Sequence, residues 1–500
     1  MLFNSYVFIF LFLPVTLLLF VGFGRLGFQR AAIGWLVAAS LFFYGWWDPR
    51  YLWLISGSIV FNYLAGEGLS RRAGTPAGKL WLAGAVGTNL TVLGWFKYAD
   101  FLAGNLNAAF GTSLPLPHIV LPLGISFFTF TQIAYLVDTY RGVTYERNLL
   151  DYGLFVTVFP HLIAGPIIHH KDIIPQFREK RIFKFDPENL SVGLTIFVMG
   201  LFKKVVLADG IARYSTPVFE LARGGGALGF CQAWGGALAY TMQIYFDFSG
   251  YSDMAVGLSK LFGVRFPVNF NSPYKAVNII EFWRRWHMTL SRFLRDYLYI
   301  SLGGNRRGPT RRYVNLWVTM LLGGLWHGAG WTFVIWGGLH GVYLMVNHAW
   351  RAVRRSLGHD PDRTTLAGRV LARLITFFAV ILAWVFFRAE NLESAIAMLK
   401  AMSHGGDLLA LDWSALQQEA RQLLWTGGLL LIIWFVPNSQ ELLLRFQPAL
   451  DSPGKRELAN RPPRWWEWQP NRLWAICVSA LFGIAVMHLC KITEFLYFQF

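Results

Sequence analysis

Residues 316–349 read LWVTMLLGGLWHGAGWTFVIWGGLHGVYLMVNHA, without a single Asp, Glu, Lys or Arg. A helix that crosses the hydrocarbon core of a bilayer needs about 20 consecutive apolar residues. The stretch is long enough for two such helices, and we predict membrane spans at 314–330 and 332–349. Lipid rather than water is therefore the expected solvent for this part of the chain.

The composition of the whole chain agrees with this prediction. Of the 500 residues, 55% are hydrophobic, 17% are aromatic and only 15% are charged, whereas soluble domains carry roughly 25% charged residues. The first apolar run, which starts at Tyr6, has no basic leader before it and no A-x-A-like cleavage site after it, so we predict a retained span rather than a secretory signal. These features argue against a soluble fold and predict an all-α polytopic membrane protein.

Apolar runs recur along most of the chain. We place twelve membrane spans, a number that leaves both termini on the same side. The predicted spans lie at 7–23, 31–47, 51–66, 80–96, 119–137, 191–208, 230–246, 314–330, 332–349, 372–388, 422–437 and 472–490. No internal repeat and no appended soluble domain is visible in the sequence.

The net charge of +17 is concentrated in loops between the apolar runs. In a soluble protein such a charge would suggest nucleic acid, but basic loops beside membrane spans are typical of the cytoplasmic side. These loops lie at 67–79, 169–184, 284–312, 351–373 and 438–472. We therefore predict that they are cytoplasmic, that both termini are periplasmic and that nucleic acid is not a partner.

Two apolar segments do not fit as simple spans. A span at 152–168 would place the basic residues after it outside, and its sequence contains Pro160, Gly165 and Pro166, which interrupt helical hydrogen bonding. The segment 250–264 is short and interrupted by glycines. We predict that both segments are re-entrant, and since irregular backbone cannot face lipid, they imply a cavity lined by protein.

Polar residues are frequent where the predicted span 230–246 continues into QIYFDFSGYSDMA. Ionisable and polar groups at membrane depth are costly, so each is a candidate functional residue. Alternatively, these groups only satisfy backbone hydrogen bonds that a helix break leaves open. The candidates are Gln243, Tyr245, Asp247, Ser249 and Asp253. Of these, Gln243, Tyr245 and Asp253 are predicted to line a substrate tunnel together with Trp326.

Residues 278–300 are predicted to form one amphipathic helix at the membrane interface. The apolar stripe contains Ile280, Trp283, His287, Leu290, Leu294 and Leu298, and the opposite side contains Glu281, Arg284, Arg285, Arg292, Arg295 and Asp296. His287 is the exception in the stripe and should point inward. Taken alone, a single histidine there is more often a hydrogen-bonded core residue than a catalyst.

A glycine-rich basic loop, GGNRRGPTRR at 303–312, precedes the span that starts at 314. Such a loop can hold phosphates through backbone N–H groups and guanidinium contacts, although it could equally be a topology anchor. The residues that would bind the phosphates of a donor are Arg306, Arg307, Arg311 and Arg312.

His327 lies inside the span 314–330, with glycines at 323, 324, 328 and 330. Counted from Leu316 at 1.5 Å per residue, it lies roughly 16 Å deep, about halfway across a core of ~30 Å. The glycines allow neighbouring backbones or a substrate to approach closely. A neutral imidazole there could act as the general base of acyl transfer from a thioester to an alcohol. His340 and His348 are weaker candidates, because we expect them closer to the interface.

Other chemistries find no support in the sequence. No Walker A loop, G-x-S-x-G elbow, H-E-x-x-H motif or strand-linked G-x-G-x-x-G motif is present. Cys231, Cys477 and Cys490 lack C-x-x-C spacing, which argues against a disulfide scaffold or a zinc site. His169 and His170 are adjacent and would point about 100° apart on a helix. We therefore interpret them as part of a basic loop and predict no metal site.

Several long motifs follow one another in a specific order. They are FPHLIAGPIIHHKDIIPQF at 159–177, QIYFDFSGYSDMAVGLSKLFG at 243–263, NFNSPYKAVNIIEFWRRWHMTLSRFLRDYLYISLGGNRRG at 269–308 and LLGGLWHGAGWTFVIWGGLHG at 321–341. Together with the opening MLFNSYVFIFLFLP, this order resembles the membrane-bound O-acyltransferase (MBOAT) superfamily. More narrowly, it resembles the bacterial alginate O-acetyltransferase branch.

The resemblance implies an architecture and two site residues. It implies a single integral membrane domain over residues 1–500, with a catalytic core at about 119–350, C-terminal helices at 372–490 and a ring of helices around a central catalytic tunnel. His327 matches the invariant membrane-embedded histidine of the family. His287 matches a second position that holds Asn, Asp or His in different branches.

The resemblance also implies a function. In this branch, acetyl groups from a cytoplasmic donor, expected to be acetyl-CoA, pass through the bacterial inner membrane to an exported polysaccharide such as alginate. A separate periplasmic partner of the SGNH serine hydrolase-like type is implied, and no permanently bound cofactor. The open alternatives are D-alanyl or other acyl transfer to a cell-envelope polymer, and transport of a polysaccharide or its lipid carrier. The absence of a repeated half favours the enzyme over the transporter.

Overall fold

The computed structural model describes the chain except for residues 361–362, 406–412, 453–461, 463 and 490–500. Within the described residues every regular element is a helix and no strand occurs, in agreement with the predicted all-α class. The chain packs as two compact units. The N-terminal unit comprises Met1–Leu201, Tyr251–Val268 and the described residues from Ser439 onward, and the histidine unit comprises Phe202–Gly250 and Asn269–Asn438. The prediction of one domain with a core at 119–350 stays a prediction.

The N-terminal unit contains the helices of the first two fifths of the chain and a short C-terminal part. Its helices are Phe8–Phe12 (a π turn) continuing into Leu13–Arg25, then Gln29–Gly45, Leu52–Ser70, Pro76–Phe110, Ile125–Tyr140, Leu149–Thr157, Phe159–Leu162, His170–Phe177, Pro187–Phe202, Ser439–Leu442 and Arg472–His488. Short 3₁₀ turns lie at Pro49–Tyr51, Lys180–Phe183 and Leu444–Phe446.

The histidine unit contains most of the predicted site residues. Its elements are Lys203–Ala208 (a π turn), Asp209–Arg223, the first part of Phe230–Leu261, Pro273–Lys275 (a 3₁₀ turn), Ile279–Arg285, Met288–Phe293, Leu294–Tyr299 (a π turn), Pro309–His327, Trp331–Ser356, Leu366–Arg388, Leu392–Ser403 and Trp413–Phe435. Side-chain caps fix several helix starts. For example, the Asn278 side chain accepts a hydrogen bond from the Glu281 N–H at 2.9 Å.

Each of the twelve predicted spans overlaps a helix, but several of the helices extend well beyond the predicted bounds, as Pro76–Phe110 and Phe230–Leu261 do, and the span predicted at 119–137 begins before the helix Ile125–Tyr140. Three helical stretches of the described chain are both long and apolar enough to cross a bilayer by length and composition: Phe8–Arg25, Pro187–Arg223 and Leu366–Arg388. Two shorter apolar helices lie at Ala420–Phe435 and Arg472–His488. These helices support a membrane protein, while the number of twelve spans and the central tunnel stay predictions.

The predicted break within 152–168 is present. The helix Leu149–Thr157 ends at Val158, the single turn Phe159–Leu162 follows, and the chain is then irregular until His170. This irregular backbone is buried, and the Phe159 N–H donates to the Ser40 Oγ at 3.1 Å. The segment therefore meets the requirement that non-helical backbone be enclosed by protein, and its re-entrant course stays a prediction.

The second predicted break is absent, because Phe230–Leu261 is one continuous helix that passes through Gly250 and Gly257. The glycine at 257 serves close packing instead. A Cβ atom there would lie 2.6 Å from the Gly193 carbonyl oxygen and 2.7 Å from the Phe197 nitrogen. The sequence-based prediction of a separate re-entrant element at 250–264 was wrong, since an isolated glycine in a helix can also mark a close approach between helices.

Candidate active site

The His287 segment is not the single helix that its periodicity predicts. The helix Ile279–Arg285 ends before Trp286, His287 adopts the left-handed conformation with φ 41° and ψ 54°, and a new helix begins at Met288. The Met288 N–H donates to the Asn269 carbonyl oxygen at 2.9 Å. A tertiary hydrogen bond thus replaces the helical one, which explains why the apolar spacing alone gave the wrong element.

The left-handed backbone at His287 is itself informative. Non-glycine residues rarely adopt positive φ, and they do so most often at functional sites, where the surrounding structure stabilises the strain. His287 is fully buried, as the sequence predicted for its side chain. The break aims the imidazole in a direction that a continuous helix would not provide.

Asn269 holds the His287 ring. Its Oδ1 accepts hydrogen bonds from the Thr289 N–H at 3.3 Å and the Thr289 hydroxyl at 2.9 Å, and it lies 3.0 Å from His287 Nδ1. Since a backbone N–H can only donate, the facing atom of Asn269 is its oxygen, and His287 Nδ1 must therefore donate as well. In the neutral ring this leaves Nε2 as the nitrogen without a hydrogen. The sequence analysis missed Asn269, whose only signal is a position in the NFN motif.

Aromatic rings surround His287. Phe248 meets it edge to face with ring centroids 4.7 Å apart, and Trp326 lies at 6.2 Å. His287 lies between the predicted spans 230–246 and 314–330, and burial lowers its pKa to about 3. The ring is therefore neutral at physiological pH, and its Nε2 can accept a hydrogen bond.

His327 is the last residue of the helix Pro309–His327, and Gly328 leaves the helix in an extended conformation. The next helix begins at Trp331. The predicted span 314–330 placed His327 inside a continuing helix, and the structure corrects this, because the glycine-rich sequence after it ends the helix. The histidine is 5% exposed, and its ring meets those of Trp326, Trp336 and Phe387 at centroid distances of 4.9, 5.1 and 5.1 Å.

Glycines bring the two helices next to His327 into close contact. A Cβ atom at Gly324 would lie 2.3 Å from the Phe333 carbonyl oxygen, and one at Gly337 would lie 2.3 Å from the Met320 carbonyl oxygen. Of the glycines at 323, 328 and 330, only Gly328 is similarly crowded, against the Phe333 ring. The sequence analysis offered two reasons for these glycines, close approach of a neighbouring backbone or of a substrate. The first reason accounts for Gly324.

Trp326 brings the two predicted catalytic residues together. Its ring centroid lies 4.9 Å from that of His327 and 6.2 Å from that of His287. All three side chains are buried. Both imidazoles therefore lie next to the same indole in a buried aromatic environment.

His340 lies among aromatic rings of the histidine unit, and its predicted place closer to the membrane interface stays a prediction. It is fully buried, stacks on Phe282 at 6.0 Å and meets Trp336 at 4.9 Å. Its Nδ1 accepts from Trp283 Nε1 at 3.3 Å, so the hydrogen of the neutral ring is on Nε2. His348, by contrast, is half-buried, and its Nδ1 accepts from Arg312 at 2.6 Å.

The polar residues of the Phe230–Leu261 helix have different environments. Gln243 accepts from the Ser215 hydroxyl at 2.8 Å, and Tyr245 is buried beside Tyr274 at 5.4 Å, both within the histidine unit. Asp253 belongs to the N-terminal unit, where the Ser439 hydroxyl donates to it at 2.6 Å. Because the helix is continuous, none of these side chains is needed to bond backbone groups at a helix break.

Asp247 forms a buried ion pair that the sequence did not reveal. Lys204 Nζ lies 2.6 Å from Asp247 and 2.8 Å from Asp209, and the side chains of Lys204 and Asp247 are each 2% exposed. Ser249 is also buried. The pair accounts for Asp247 structurally, because a buried carboxylate requires a partner.

The glycine-rich loop at 303–312 is ordered by Asn315, whose amide donates to the carbonyl oxygens of Leu302 and Gly304 at 3.2 and 2.9 Å. The predicted donor-binding residues Arg306, Arg307 and Arg311 are exposed, and Arg312 is half-buried against His348. Three guanidinium groups are thus accessible to a ligand in solution.

His169 and His170 are buried, and His170 begins the helix His170–Phe177, which corrects their interpretation as part of a basic loop. His170 Nε2 lies 3.1 Å from Glu146 Oε2, and its Nδ1 lies 2.7 Å from the Thr144 hydroxyl. Among the described residues, no group of three or more potential ligands could hold a metal ion.

This chain is similar to known proteins over most of its length. The model of the MBOAT, membrane-bound O-acyltransferase family matches residues 132–387, a range that contains both central histidines. A peptidoglycan O-acetyltransferase of Helicobacter pylori is 46% identical over 433 residues, covering 80% of each chain. A probable alginate O-acetylase of Pseudomonas aeruginosa is 48% identical over 412 residues, covering 80% of this chain and 75% of the relative.

The chain is also similar, at lower identity, to a protein named for a different reaction. A teichoic acid D-alanyltransferase of Bacillus subtilis is 27% identical over 352 residues, covering 67% of this chain and 82% of that protein. The names of the three relatives describe acyl transfer to peptidoglycan, alginate and teichoic acid. Because the family model and the extended similarity agree with the paired buried histidines, the chain belongs to the membrane-bound O-acyltransferase family and is an O-acyltransferase of the membrane.

Proposed function

We propose that this protein is an O-acetyltransferase that moves acetyl groups from a cytoplasmic donor, acetyl-CoA, across the bacterial inner membrane for the O-acetylation of an exported polysaccharide. The observation that supports the proposal is the burial of His287 and His327 beside one shared side chain, Trp326. The names of the relatives at 46% and 48% identity give the acetyl group and the polysaccharide class, such as alginate or another exopolysaccharide.

In the proposed reaction an acceptor hydroxyl attacks the thioester carbonyl of acetyl-CoA. The C–O bond forms, the C–S bond breaks, and the proton of the hydroxyl passes through the base to the leaving thiolate. His327 is the general base, in line with its place in the family motif. His287 orients the donor or the hydroxyl, because Asn269 fixes its ring and leaves Nε2 able to accept a hydrogen bond.

The donor would be held through its phosphates. The exposed Arg306, Arg307 and Arg311, with the half-buried Arg312, form a cationic loop that precedes the His327 helix. Guanidinium groups bind phosphate in bidentate geometry. Gln243, Tyr245, Trp326 and Asp253 remain candidates for lining the path of the substrate.

The proposed topology and partner follow from the charge pattern and the resemblance. The basic loops at 284–312 and 438–472 would face the cytoplasm and both termini the periplasm, although parts of the second loop and the C-terminus lie outside the described residues. A separate periplasmic protein of the SGNH type would complete transfer to the polymer. Labelling from outside intact cells of a cysteine engineered beside Arg307 would contradict this topology.

D-alanyl transfer is the second candidate, and the similarity to a teichoic acid D-alanyltransferase supports it. That similarity is weaker than the similarity to the acetyltransferases. A transporter of the polymer or its carrier is not retained, because the chain belongs to an acyltransferase family.

The proposal can be tested with purified protein in liposomes supplied with acetyl-CoA labelled in the acetyl group. We expect release of CoA that depends on the protein and is lost in His327→Gln. His404→Gln, which changes an exposed histidine of the same unit, is the matched control. Turnover of a D-alanyl carrier with no turnover of acetyl-CoA would replace the proposal with the second candidate.

A further inference from the structure

Trp336 is the ring that connects a third histidine, His340, to the candidate active site. Its indole meets the His327 ring at 5.1 Å and the His340 ring at 4.9 Å between centroids, both edge to face. Phe387 and Trp384 also pack on this indole, at 5.0 and 5.7 Å. Trp336 is only 1% exposed, and His340 is fully buried. The ring environment of His327 therefore depends on Trp336, and the place of Trp336 depends in part on His340.

His340 is also bonded to the segment that leads to His287. Trp283 Nε1 donates a hydrogen bond to His340 Nδ1 at 3.3 Å, and the two rings meet edge to face at 5.1 Å. Trp283 belongs to the helix Ile279–Arg285, which ends just before the left-handed break at His287. His340 belongs to the helix Trp331–Ser356, which follows His327 in the chain. This hydrogen bond therefore connects the two segments in which the candidate histidines lie.

The chemical identity of residue 340 supports a role for this bond. Its ring contacts include Phe282, Trp336 and Tyr343, and a phenylalanine could make similar contacts without burying polar atoms. A buried polar group is costly unless it is hydrogen-bonded, and a buried indole N–H usually has an acceptor. A hydrogen bond also has a preferred distance and angle, whereas apolar packing is not directional. His340 thus fixes the indole of Trp283 more narrowly than ring packing alone.

We propose that His340 is a positioning residue for acyl transfer. Its Nδ1 holds Trp283 and with it the helix that leads to His287, and its ring supports Trp336, which packs on His327. One buried side chain thus fixes the placement of both histidines, without itself exchanging a proton with the substrate. The inference rests on the proposed function, in which His287 and His327 act on the donor and the acceptor hydroxyl.

The test measures kcat, KM and melting temperature of purified full-length variants in liposomes. His340→Phe keeps a ring but removes the acceptor of the Trp283 N–H. A displacement of reacting groups by about 1 Å can cost about 100-fold in rate, so we expect kcat to fall about tenfold or more. KM for acetyl-CoA should change less than about threefold, because the binding contacts of the donor are kept. His340→Asn, which offers an acceptor oxygen near the place of Nδ1, should recover part of the lost kcat.

Trp234→Phe is the matched control, since it also removes an indole hydrogen bond of the histidine unit. The Trp234 N–H donates to the Met402 carbonyl oxygen at 3.0 Å, and its ring packs on Phe378 at 5.6 Å. This variant should lose some stability but keep kcat within about twofold of the wild type. If His340→Phe fails to fold, Trp283→Phe replaces it, because that change removes the donor of the same bond and keeps a ring; kcat should fall there as well.

A folded His340→Phe variant with kcat within about twofold of the wild type overturns the inference, as does an equal loss of kcat in Trp234→Phe. A lower melting temperature without a loss of kcat overturns it too, because that result describes a purely structural residue. Failure of the proposed function gives a different result. The wild type then turns over a D-alanyl carrier instead of acetyl-CoA, and the same kcat ratios are measured with that carrier.

Discussion

His287 and His327 lie on the same indole but are positioned in different ways. His327 ends a regular helix that packs closely against its neighbour through Gly324 and Gly337. His287 lies at a helix break with positive φ, where Asn269 holds both the ring and the next backbone N–H. Helix packing thus positions one imidazole, and a local hydrogen-bond network positions the other.

Because the two histidines are positioned in different ways, we expect them to tolerate different substitutions. A side chain at a helix end can change without disturbing the backbone, so variants of His327 should report chemistry alone. A residue with positive φ carries a conformational preference as well. Variants of His287 should therefore combine a chemical effect with a structural one, and the predictions below use this contrast.

The largest effect is expected for His327→Gln, which keeps size and polarity but removes the base. General base catalysis contributes about 10²- to 10⁴-fold in rate, so acetylation of the polymer in cells should fall at least about 100-fold. The melting temperature should change little, since the helix end is retained. A well-folded variant that keeps more than about a tenth of normal acetylation would refute the role of His327.

Two replacements of His287, by Leu and by Asn, should differ in both activity and stability. His287→Leu should lose nearly all activity and also stability, because a left-handed conformation costs a branched residue about 1–2 kcal/mol. His287→Asn should keep partial activity, since Asn tolerates positive φ and related branches of the family use it there. Acetylation and melting temperature measured together test this, and equal loss in both variants would remove the distinction between the two histidines.

Asn269→Ala should have an intermediate effect. It leaves His287 Nδ1–H and two Thr289 donors without their acceptor, a loss of about 1–3 kcal/mol in stability. If Asn269 positions His287, kcat should fall about tenfold or more while KM changes little. Asn269→Asp, which keeps an acceptor oxygen, should recover stability. An unchanged kcat would make Asn269 purely structural.

The smallest effect is expected in the loop that connects the two histidine segments. Replacing both Arg306 and Arg307 by Ala should raise the apparent KM for acetyl-CoA about three- to tenfold and affect kcat less, because remote exposed contacts are made in ground and transition states alike. Arg295→Ala, which removes an exposed cation paired with Asp296, is the control. An unchanged KM would return the loop to a topology anchor.

The sequence predicted the parts of the molecule that depend on periodic burial. Every predicted span overlaps a helix, and the break within 152–168 was predicted from its prolines and glycine. The pattern failed where tertiary contacts override it. Met288 bonds to Asn269 rather than continuing a helix, and Gly257 permits a close approach instead of a break.

The sequence predicted which histidines belong to the candidate site, but not the contacts that position them. His327 and His287 were found by motif, but Asn269 and the burial of His170 depend on partners distant in sequence. No periodicity encodes a hydrogen bond between residues 18 positions apart. The pairing of Asp247 with Lys204 was missed for the same reason.

That ion pair also bears on the biogenesis of the protein. A lysine or aspartate within a membrane helix raises the free energy of insertion when it enters without a partner. Lys204 leaves the ribosome before Asp247, and each neutralises the other only when both helices are side by side. The Pro187–Phe202 region and the Phe230–Leu261 helix are therefore expected to leave the translocon together, as one helical hairpin, rather than one at a time.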